Sequence, residues 1–411
     1  MKLDTTRKVD RYGGVALCCV LSGLRRMGKA LPPYNRPIPP IRRIAFIKLA
    51  EQGATVLANG VLHRAADLVG RENIFFCVFE KNRTILDLLD IVPAKNVFVV
   101  RDDNFFVFVA DVLRMLWRMR RERIDTTIDM ELFARVSTIL AFLSGARRRV
   151  GLHKFANEGL YRGDLLTHRV QYNPYHHMSV HYDVLFAAAQ RDSREYPLPK
   201  YVPEALPHHL PAFEPPPEDK TYIEGLLEEH GVAPDTGPVV VFNPKVGDIM
   251  PIRRWAPEKF AALAQRLLDA YPQARIFITG LPEEHEGVDA LCMAIGSDRA
   301  VNLAGSLNLR QLIGLLSMAD ALISTDSGPA HFAALTSVEV IVLFGSETPT
   351  LYGPLGEHIH PVYKGLACSP CLSAANMRVS FCRDNQCMKR IRVDEVFAAT
   401  RDALDARHST H

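Results

Sequence analysis

The sequence predicts an α/β protein of two doubly wound domains facing each other across a cleft, each a parallel sheet with helices on both faces. Three observations lead there. Short apolar runs, continuous rather than alternating, recur between longer helical stretches along the chain, as expected of parallel strands buried on both sides. A chain of 411 residues exceeds one ordinary core, and two domains of about 200 residues are the natural division. Residues 196–217, YPLPKYVPEALPHHLPAFEPPP, hold too many prolines to continue a helix or a central strand and read as a semi-rigid linker.

Composition narrows the class. Hydrophobic residues make up 48% of the chain and charged ones 23%, which describes a soluble globular protein and excludes a disordered chain or a multi-span membrane protein. The net charge of +3 hides an asymmetry: residues 1–200 carry 32 Lys and Arg against 20 Asp and Glu, and residues 201–411 carry 17 against 26. A basic first half suits an anionic partner such as a membrane surface or a phosphorylated glycolipid. No nucleic-acid motif accompanies the charge, so nucleic acid ranks last.

Residues 1–40 form a basic and apolar leader. Its uncharged run YGGVALCCVLSGL is flanked by Arg7, Lys8 and Arg11 on one side and by Arg25, Arg26 and Lys29 on the other. As a helix this run covers about 20 Å, short of the ~30 Å hydrocarbon core, so it does not span. It also lacks the cleavage site of a signal peptide. Two readings stay open, a helix lying in the plane of an anionic leaflet and a helix packed on its own domain. A proline-rich spacer ends the leader.

The N-terminal domain, residues 41–200, opens with an apolar strand at 43–49 and a glycine-containing turn, Ala50-Glu51-Gln52-Gly53-Ala54-Thr55, that leads into a helix. Strands follow at Ile74–Phe79, Val97–Val100 and 126–130, with helices at Phe105–Arg121 and 133–143. A basic segment before the next helix, expected to be irregular, contains Arg147, Arg148, Arg149, His153, Lys154, Arg162, His168 and Arg169. It is either a solvated surface or a set of contacts for the phosphates of an acceptor. His177 and His181 have the spacing of a metal pair but no acidic or Cys ligand beside them, which favours packing or acceptor contact.

The linker is assigned to 201–217 and the C-terminal domain to 218–411. Its strands are expected at 238–243, 275–279, 300–303, 321–324 and Glu339–Phe344, and its helices include 219–230, 257–271 and Leu309–Met318. The stretch around Thr325-Asp326-Ser327-Gly328-Pro329 is the most telling. A strand enters this polar turn, a small-residue helix leaves it, and such units bind ligands at the carboxyl ends of their strands. Gly328 permits close approach, Pro329 suits a first helical turn, and exposed amides there favour a diphosphate. Asp326 either caps the helix or takes a sugar hydroxyl; His331 either faces the ligand or is merely packed.

Four of the eight cysteines fall in residues 368–387, at Cys368, Cys371, Cys382 and Cys387. The spacing is compatible with a tetrahedral Zn site, a single iron, buried reduced thiols or disulfides, the last disfavoured without a secretory signal.

At this point the chain resembles glycosyltransferase family 9, whose best-known members are the lipopolysaccharide heptosyltransferases. The resemblance rests on Asn302-Leu303-Ala304-Gly305, Asp326-Ser327-Gly328-Pro329-Ala330-His331, Phe344-Gly345, Arg253-Arg254-Trp255 with Pro257-Glu258-Lys259-Phe260, and the acidic loop Leu281-Pro282-Glu283-Glu284-His285-Glu286. It implies the GT-B architecture, with a nucleotide-sugar donor in the C-terminal domain and a lipid-linked acceptor in the N-terminal one. Carried over by position, Asp326, Ser327, Gly328, His331, Arg253 and Glu284 hold the donor. Asn243 and Lys245, at a strand end, add to that side. The acceptor falls to Arg147, Arg148, Arg149, His153, Lys154 and Arg169. The family has a Gly-Asp pair in the first loop, the Asp serving as general base; here the pair is Gly53-Ala54, and alanine takes no proton. Glu51, Glu131 and Asp129 are the candidate replacements, in that order.

The resulting expectation is an inverting transferase moving a heptose or another hexose. Its donor is ADP-heptose or a UDP- or GDP-sugar, and its acceptor is lipopolysaccharide or a related cell-surface glycan. It needs no cofactor for catalysis, because a cation and amide donors neutralise the leaving diphosphate, and it works at the inner face of the cytoplasmic membrane. The rivals are a catalytically silent glycan-binding scaffold, motivated by Ala54, and a nucleotide-sugar epimerase on the same architecture. A dinucleotide oxidoreductase is disfavoured because no strand is followed by G-x-G-x-x-G.

Overall fold

A computed structural model describes residues 3–29, 39–156, 159–195, 197–203, 210–233, 237–244 and 251–409. The chain divides into two compact units. Unit 1 comprises residues 1–209 together with Ala374–Arg378, and unit 2 comprises Leu210–Ser373 with 379–411. Residues 204–209 of the expected linker lie outside the described residues.

Unit 1 carries a six-stranded sheet in which every neighbouring pair is parallel. Its strands are β1 (Ile44–Ile47), β2 (Ile74–Phe79), β3 (Val97–Val100), β4 (Thr126–Asp129), β5 (Arg148–His153) and β6 (His168–Gln171), in the order β3-β2-β1-β4-β5-β6. The apolar runs form the strands as expected, and β1 to β4 are almost wholly buried. Strands β5 and β6 correct the sequence reading, which took their basic residues for an irregular segment. Their arginines are accommodated because the guanidinium groups reach backbone carbonyls: Arg148 Nη1 donates to Pro39 O at 3.0 Å, and Arg149 Nε to Leu165 O at 2.7 Å.

The N-terminal helix α1 (Leu3–Lys29) extends well beyond its uncharged run. One face is built into unit 1, where Cys18 and Leu21 pack on Ile139 and Leu165. Asp10 accepts from the amides of Arg135 and Val136 at 2.8 and 3.0 Å and so caps a neighbouring helix. Arg25, buried, donates to Leu166 O at 2.9 Å. The other face leaves Tyr12, Leu17, Val20, Leu24 and Met27 exposed. The packing matches the reading of a helix packed on its own domain. Among the described residues no helix is long and apolar enough to cross a membrane.

After β1 the expected single helix divides into α2 (Gln52–Leu57) and α3 (Asn59–Val69). The short α4 (Arg83–Leu89) follows β2, α5 (Phe105–Arg121) follows β3, α6 (Arg135–Leu143) follows β4, and α7 (Met178–Ala189) follows β6.

Unit 2 repeats the architecture. Its strands β7 (Val239–Asn243), β8 (Arg275–Ile278), β9 (Ala300–Asn302), β10 (Ala321–Thr325), β11 (Glu339–Phe344) and β12 (Ile359–Tyr363) are ordered β12-β11-β10-β7-β8-β9. All neighbours are parallel. Strand β12 is not expected from the sequence, because none of its five residues is buried and its hydrophobic signal is weak. Between the strands run α8 (Pro217–Glu229), α9 (Pro257–Ala270), α10 (His285–Ile295), α11 (Leu309–Met318) and α12 (Gly328–Ala333). Trp255 anchors one side of the core, its ring 4.9 Å from Phe260 and its Nε1 donating to Ile391 O at 3.0 Å.

In both sheets the first strand of the unit lies beside the fourth, so the chain order reverses there. Such a switch point opens a crevice at the carboxyl ends of the two strands. The positions to inspect are therefore the ends of β1 and β4, and those of β7 and β10.

Candidate functional sites at the two switch points

In unit 1, three charged side chains meet at the ends of β1 and β4. Lys48, directly after β1 and almost wholly buried, places Nζ 3.0 Å from Glu51 and 3.1 Å from Glu131. Glu131 is pinned, its Oε1 accepting from the amides of Leu49 at 2.7 Å and Ala50 at 3.2 Å. Glu51 is the more accessible of the two, its side chain 40% exposed against 12%. Its backbone sits in the left-handed region with φ 71°, a strained conformation for a side chain of this kind. Arg378, in the segment Ala374–Arg378, forms an ion pair with Glu51. Ala54 is buried in α2.

Asp129, the third candidate base, is removed from that role by its surroundings. It is wholly buried, ion-paired to the equally buried Arg162, and accepts from Ser137 at 3.0 Å and Thr138 at 2.9 Å. It cannot meet an acceptor hydroxyl. It holds the end of β4 to the start of α6.

The basic segment separates into two groups. Arg148 and Arg149 start β5, at the amino edge of the sheet, and are buried, so their assignment to an acceptor is corrected. Arg162 serves Asp129. His168 is buried and its pKa is pushed down to about 4 by desolvation and by Arg148. Arg169 pairs with Asp164. His153 and Lys154 lie at the carboxyl end of β5, where ligands are expected, and Lys154 is exposed; Arg147 is exposed as well, but precedes β5. His177 and His181 are engaged separately: His177 caps α7 through Ser179, while His181 stacks on Tyr172 and contacts Asn173 O at 2.7 Å.

In unit 2, Asn243 ends β7 and donates to Thr279 Oγ1 at 3.1 Å, while Ser327, past the end of β10, reaches Ser324 Oγ at 3.1 Å and Asn243 Oδ1 at 3.5 Å. The switch point is thus laced together by short polar side chains. Beside it Arg253 Nη1 lies 3.2 Å from Asp326 Oδ2 and donates to Asp326 O at 3.1 Å, and its Nη2 lies 3.4 Å from Glu347 Oε1. His331 is buried one turn into α12. That helix has only six residues, so its dipole is small, and among the described residues Arg253 brings a full positive charge here.

Glu284 folds back on its own loop, accepting from Leu281 N at 2.9 Å. Gly305 is required opposite that loop: its φ is +78°, and a Cβ would stand 2.9 Å from Pro282 Cα. Lys245 lies outside the described residues.

Glu347 is absent from the sequence-derived list, although it is almost wholly buried beside Arg253. The available signal was its place just past β11, at the carboxyl end of the strand next to β10.

The four C-terminal cysteines form no disulfide and all lie in unit 2. Cys368, Cys371 and Cys382 lie near enough to Cys387 to raise its pKa alongside burial, the largest cause. Among the described residues, however, no three His, Cys, Asp or Glu side chains are assembled to hold a metal ion. The segment packs against the loop that follows β11. Cys371 N and Leu372 N donate to Ser346 O at 3.0 and 3.1 Å, and Cys387 and Met388 pack so closely on Gly345 that a Cβ there would meet the Met388 sulfur at 2.5 Å.

Comparison with known proteins agrees with this arrangement. The model of glycosyltransferase family 9 (heptosyltransferase) matches residues 112–379, well over half of the chain. Lipopolysaccharide heptosyltransferase 2 of Escherichia coli K12 is 30% identical over 121 residues, which cover 29% of this chain and 34% of that protein. The chain's match thus spans about a third of the length of this curated relative. Two solved structures share the fold over nearly the whole chain. One is the family 9 glycosyl transferase of Veillonella parvula, with a TM-score of 0.69 and 18% identity, covering 90% of this chain and 99% of that one. The other is the E. coli ADP-heptose lps heptosyltransferase II, with a TM-score of 0.65 and 18% identity over 89% and 99%. With the α/β units, the two switch points and the matched stretch in agreement, the chain belongs to glycosyltransferase family 9.

Proposed function

We propose that this chain is an inverting glycosyltransferase that moves a sugar from a nucleoside diphosphate donor held in unit 2 to an anionic cell-surface glycolipid held by unit 1. The observation that carries the reading is Arg253 with Asp326 at the switch point of unit 2, a fixed cation with a hydroxyl-binding carboxylate where a diphosphate sugar enters such a sheet. ADP-heptose is the first donor to test, given the names of the relatives, and lipopolysaccharide the first acceptor. In this scheme Glu51 accepts the proton of the acceptor hydroxyl. Lys48 holds it in place, and Glu131 holds Lys48.

The test is nucleotide release by the purified chain from a panel of ADP-, UDP- and GDP-sugars with glycolipid as acceptor. Release is expected to require both substrates. Glu51→Gln is expected to slow it by about 10²–10⁴-fold, the usual worth of a general base. Release that Glu51→Gln leaves unchanged would move the proton transfer elsewhere, and donor binding without release would favour the silent scaffold.

The exposed face of α1 supports a second element of the reading, contact with the membrane surface. Tyr12, Leu17, Val20, Leu24 and Met27 line one side, with the exposed cations Arg11 and Arg26 on the same helix. The full chain is expected to sediment with vesicles of phosphatidylglycerol, to leave phosphatidylcholine vesicles in solution, and to lose binding on Leu17→Glu with Val20→Glu. Equal recovery with both lipids would remove the electrostatic part of the argument.

A further inference from the structure

Helix α5 is apolar on both of its faces. The inner face is explained by packing: Met115, Leu116 and Met119 are buried in the core of unit 1, with Phe108 and Val112 partly buried beside them. The outer face carries Phe106, Ala110, Leu113 and Trp117, spaced four, three and four residues apart and so aligned as one stripe. All four are exposed, the large ones by 81%, 62% and 58% in that order. Phe105 is exposed next to Phe106, its ring centroid 5.9 Å away. A soluble helix ordinarily turns polar residues outward, so a continuous outer stripe of this kind marks a surface that meets a second apolar medium.

We propose that the outer face of α5 lies in the surface of an anionic lipid membrane, with Phe106, Leu113 and Trp117 among the acyl chains and the arginines of its carboxyl end on the headgroups. The inference rests on the membrane reading of α1 only in placing both helices against one surface. Helix α5 carries the rest on its own observations.

Charge selects the occupant. Within Phe105–Arg121 the cations are Arg114, Arg118, Arg120 and Arg121, and the one acid is Asp111. Asp111 is buried and paired with Arg101 and Arg114, at 2.8 Å each, so the helix turns no carboxylate outward beside the stripe. Of the flanking acids, Asp102 pairs with Lys81 and Glu122 with Arg43, while Asp103 precedes the helix at the end opposite the arginines. Arg114, Arg120 and Arg121 are exposed, and the Arg121 guanidinium lies 5.3 Å from the centroid of the Trp117 ring. An indole beside a cation suits the headgroup level of a bilayer. A second copy of this face would add its own arginines to the contact and no carboxylate to balance them, whereas anionic headgroups neutralise them. Helix α6 borders both membrane candidates. Arg120 of α5 donates to Leu143 O at 2.5 Å, and Leu143 packs on the cluster that holds Cys18 and Leu21 of α1. The two outer faces thus belong to one layer of helices.

The experiment adds vesicles of phosphatidylglycerol with brominated acyl chains, which quench at contact, to the full chain and follows its tryptophan fluorescence. Trp255 is buried in the core of unit 2, so the lipid-dependent signal reports Trp117. Quenching is expected in the wild type, is expected to vanish in Trp117→Phe, and is expected to be absent with brominated phosphatidylcholine. Phe106→Glu with Leu113→Glu, at two exposed positions, is expected to weaken vesicle binding by about tenfold or more with the melting temperature unchanged. Sedimentation with phosphatidylglycerol while Trp117 stays unquenched would overturn the role of α5 and leave that of α1 standing. Failure to sediment with either lipid would overturn both. Equal quenching by the two lipids would overturn the assignment to an anionic surface. A dimer in lipid-free solution that Phe106→Glu with Leu113→Glu dissociates would give the face to a second copy and overturn the proposal.

Discussion

Arg253→Ala is expected to reduce nucleotide release by about 10²–10³-fold, the loss typical when one preorganised charge or donor is removed from a developing anion. The measurement is kcat/KM for release with the best donor of the panel, checked by binding of the nucleoside diphosphate alone. The effect is large because Arg253 is the charged group that joins Asp326 to Glu347, at 3.2 and 3.4 Å, with a side chain only 12% exposed. Arg253→Lys is expected to be intermediate. A lysine supplies the charge, but its single ammonium cannot bridge two carboxylates in the fork geometry of a guanidinium. The stability cost of Arg253→Ala is expected to be smaller than its catalytic cost. Glu347, pushed up to about 8 chiefly by burial, stays protonated when Arg253 is lost rather than unfolding the site. Wild-type rates in Arg253→Ala would remove the diphosphate role from this switch point.

The largest stability effect is expected in unit 1. Arg162→Ala is expected to cost about 3–5 kcal/mol, because it strands Asp129 as an uncompensated charge. Both side chains have no exposure, and Ser137 and Thr138 cannot replace the cation. Asp129→Asn with Arg162→Met removes both charges and is expected to cost much less than either single change. The two tryptophans make the test local: Trp117 lies in unit 1 and Trp255 in unit 2, so urea unfolding followed by fluorescence in Trp117→Phe and Trp255→Phe backgrounds reports each unit separately. Arg162→Ala is expected to shift the midpoint seen by Trp117 and to leave that seen by Trp255 in place. Equal shifts at both would show that the two units unfold together, and no shift at Trp117 would show that Asp129 finds another partner.

Much of the switch point of unit 2 was legible from residue order. The run Thr325-Asp326-Ser327-Gly328-Pro329 announces a strand end followed by a helix start, and it lies at the β10 end of the switch point. Arg253 was placed by resemblance and found beside Asp326. Glu347 was missed because nothing in Gly345-Ser346-Glu347-Thr348 distinguishes a buried acid from a loop acid. Its burial depends on the Cys371 and Met388 segments closing over that loop.

The charged residues of unit 1 were read less well, for a definite reason. A run of arginines looks the same whether it faces solvent or a row of backbone carbonyls, so Arg148, Arg149 and Arg162 resembled free cations until the packing of α1, β5 and β6 was known. The order of candidate bases depended on the same information. Glu51, Glu131 and Asp129 are equivalent as residue types, and only their surroundings separate an accessible, strained carboxylate from a pinned one and from a buried ion pair.

The sequence by itself determined the α/β class, the two-unit division, the positions of most strands and the family, because each depends on short-range periodicity and on motifs a few residues long. Tertiary structure alone decided which charges are structural and which remain free for chemistry. Burial and pairing are set by residues tens to hundreds of positions apart, as Arg25 with Asp164 and Arg253 with Glu347 illustrate, and no local pattern carries that information.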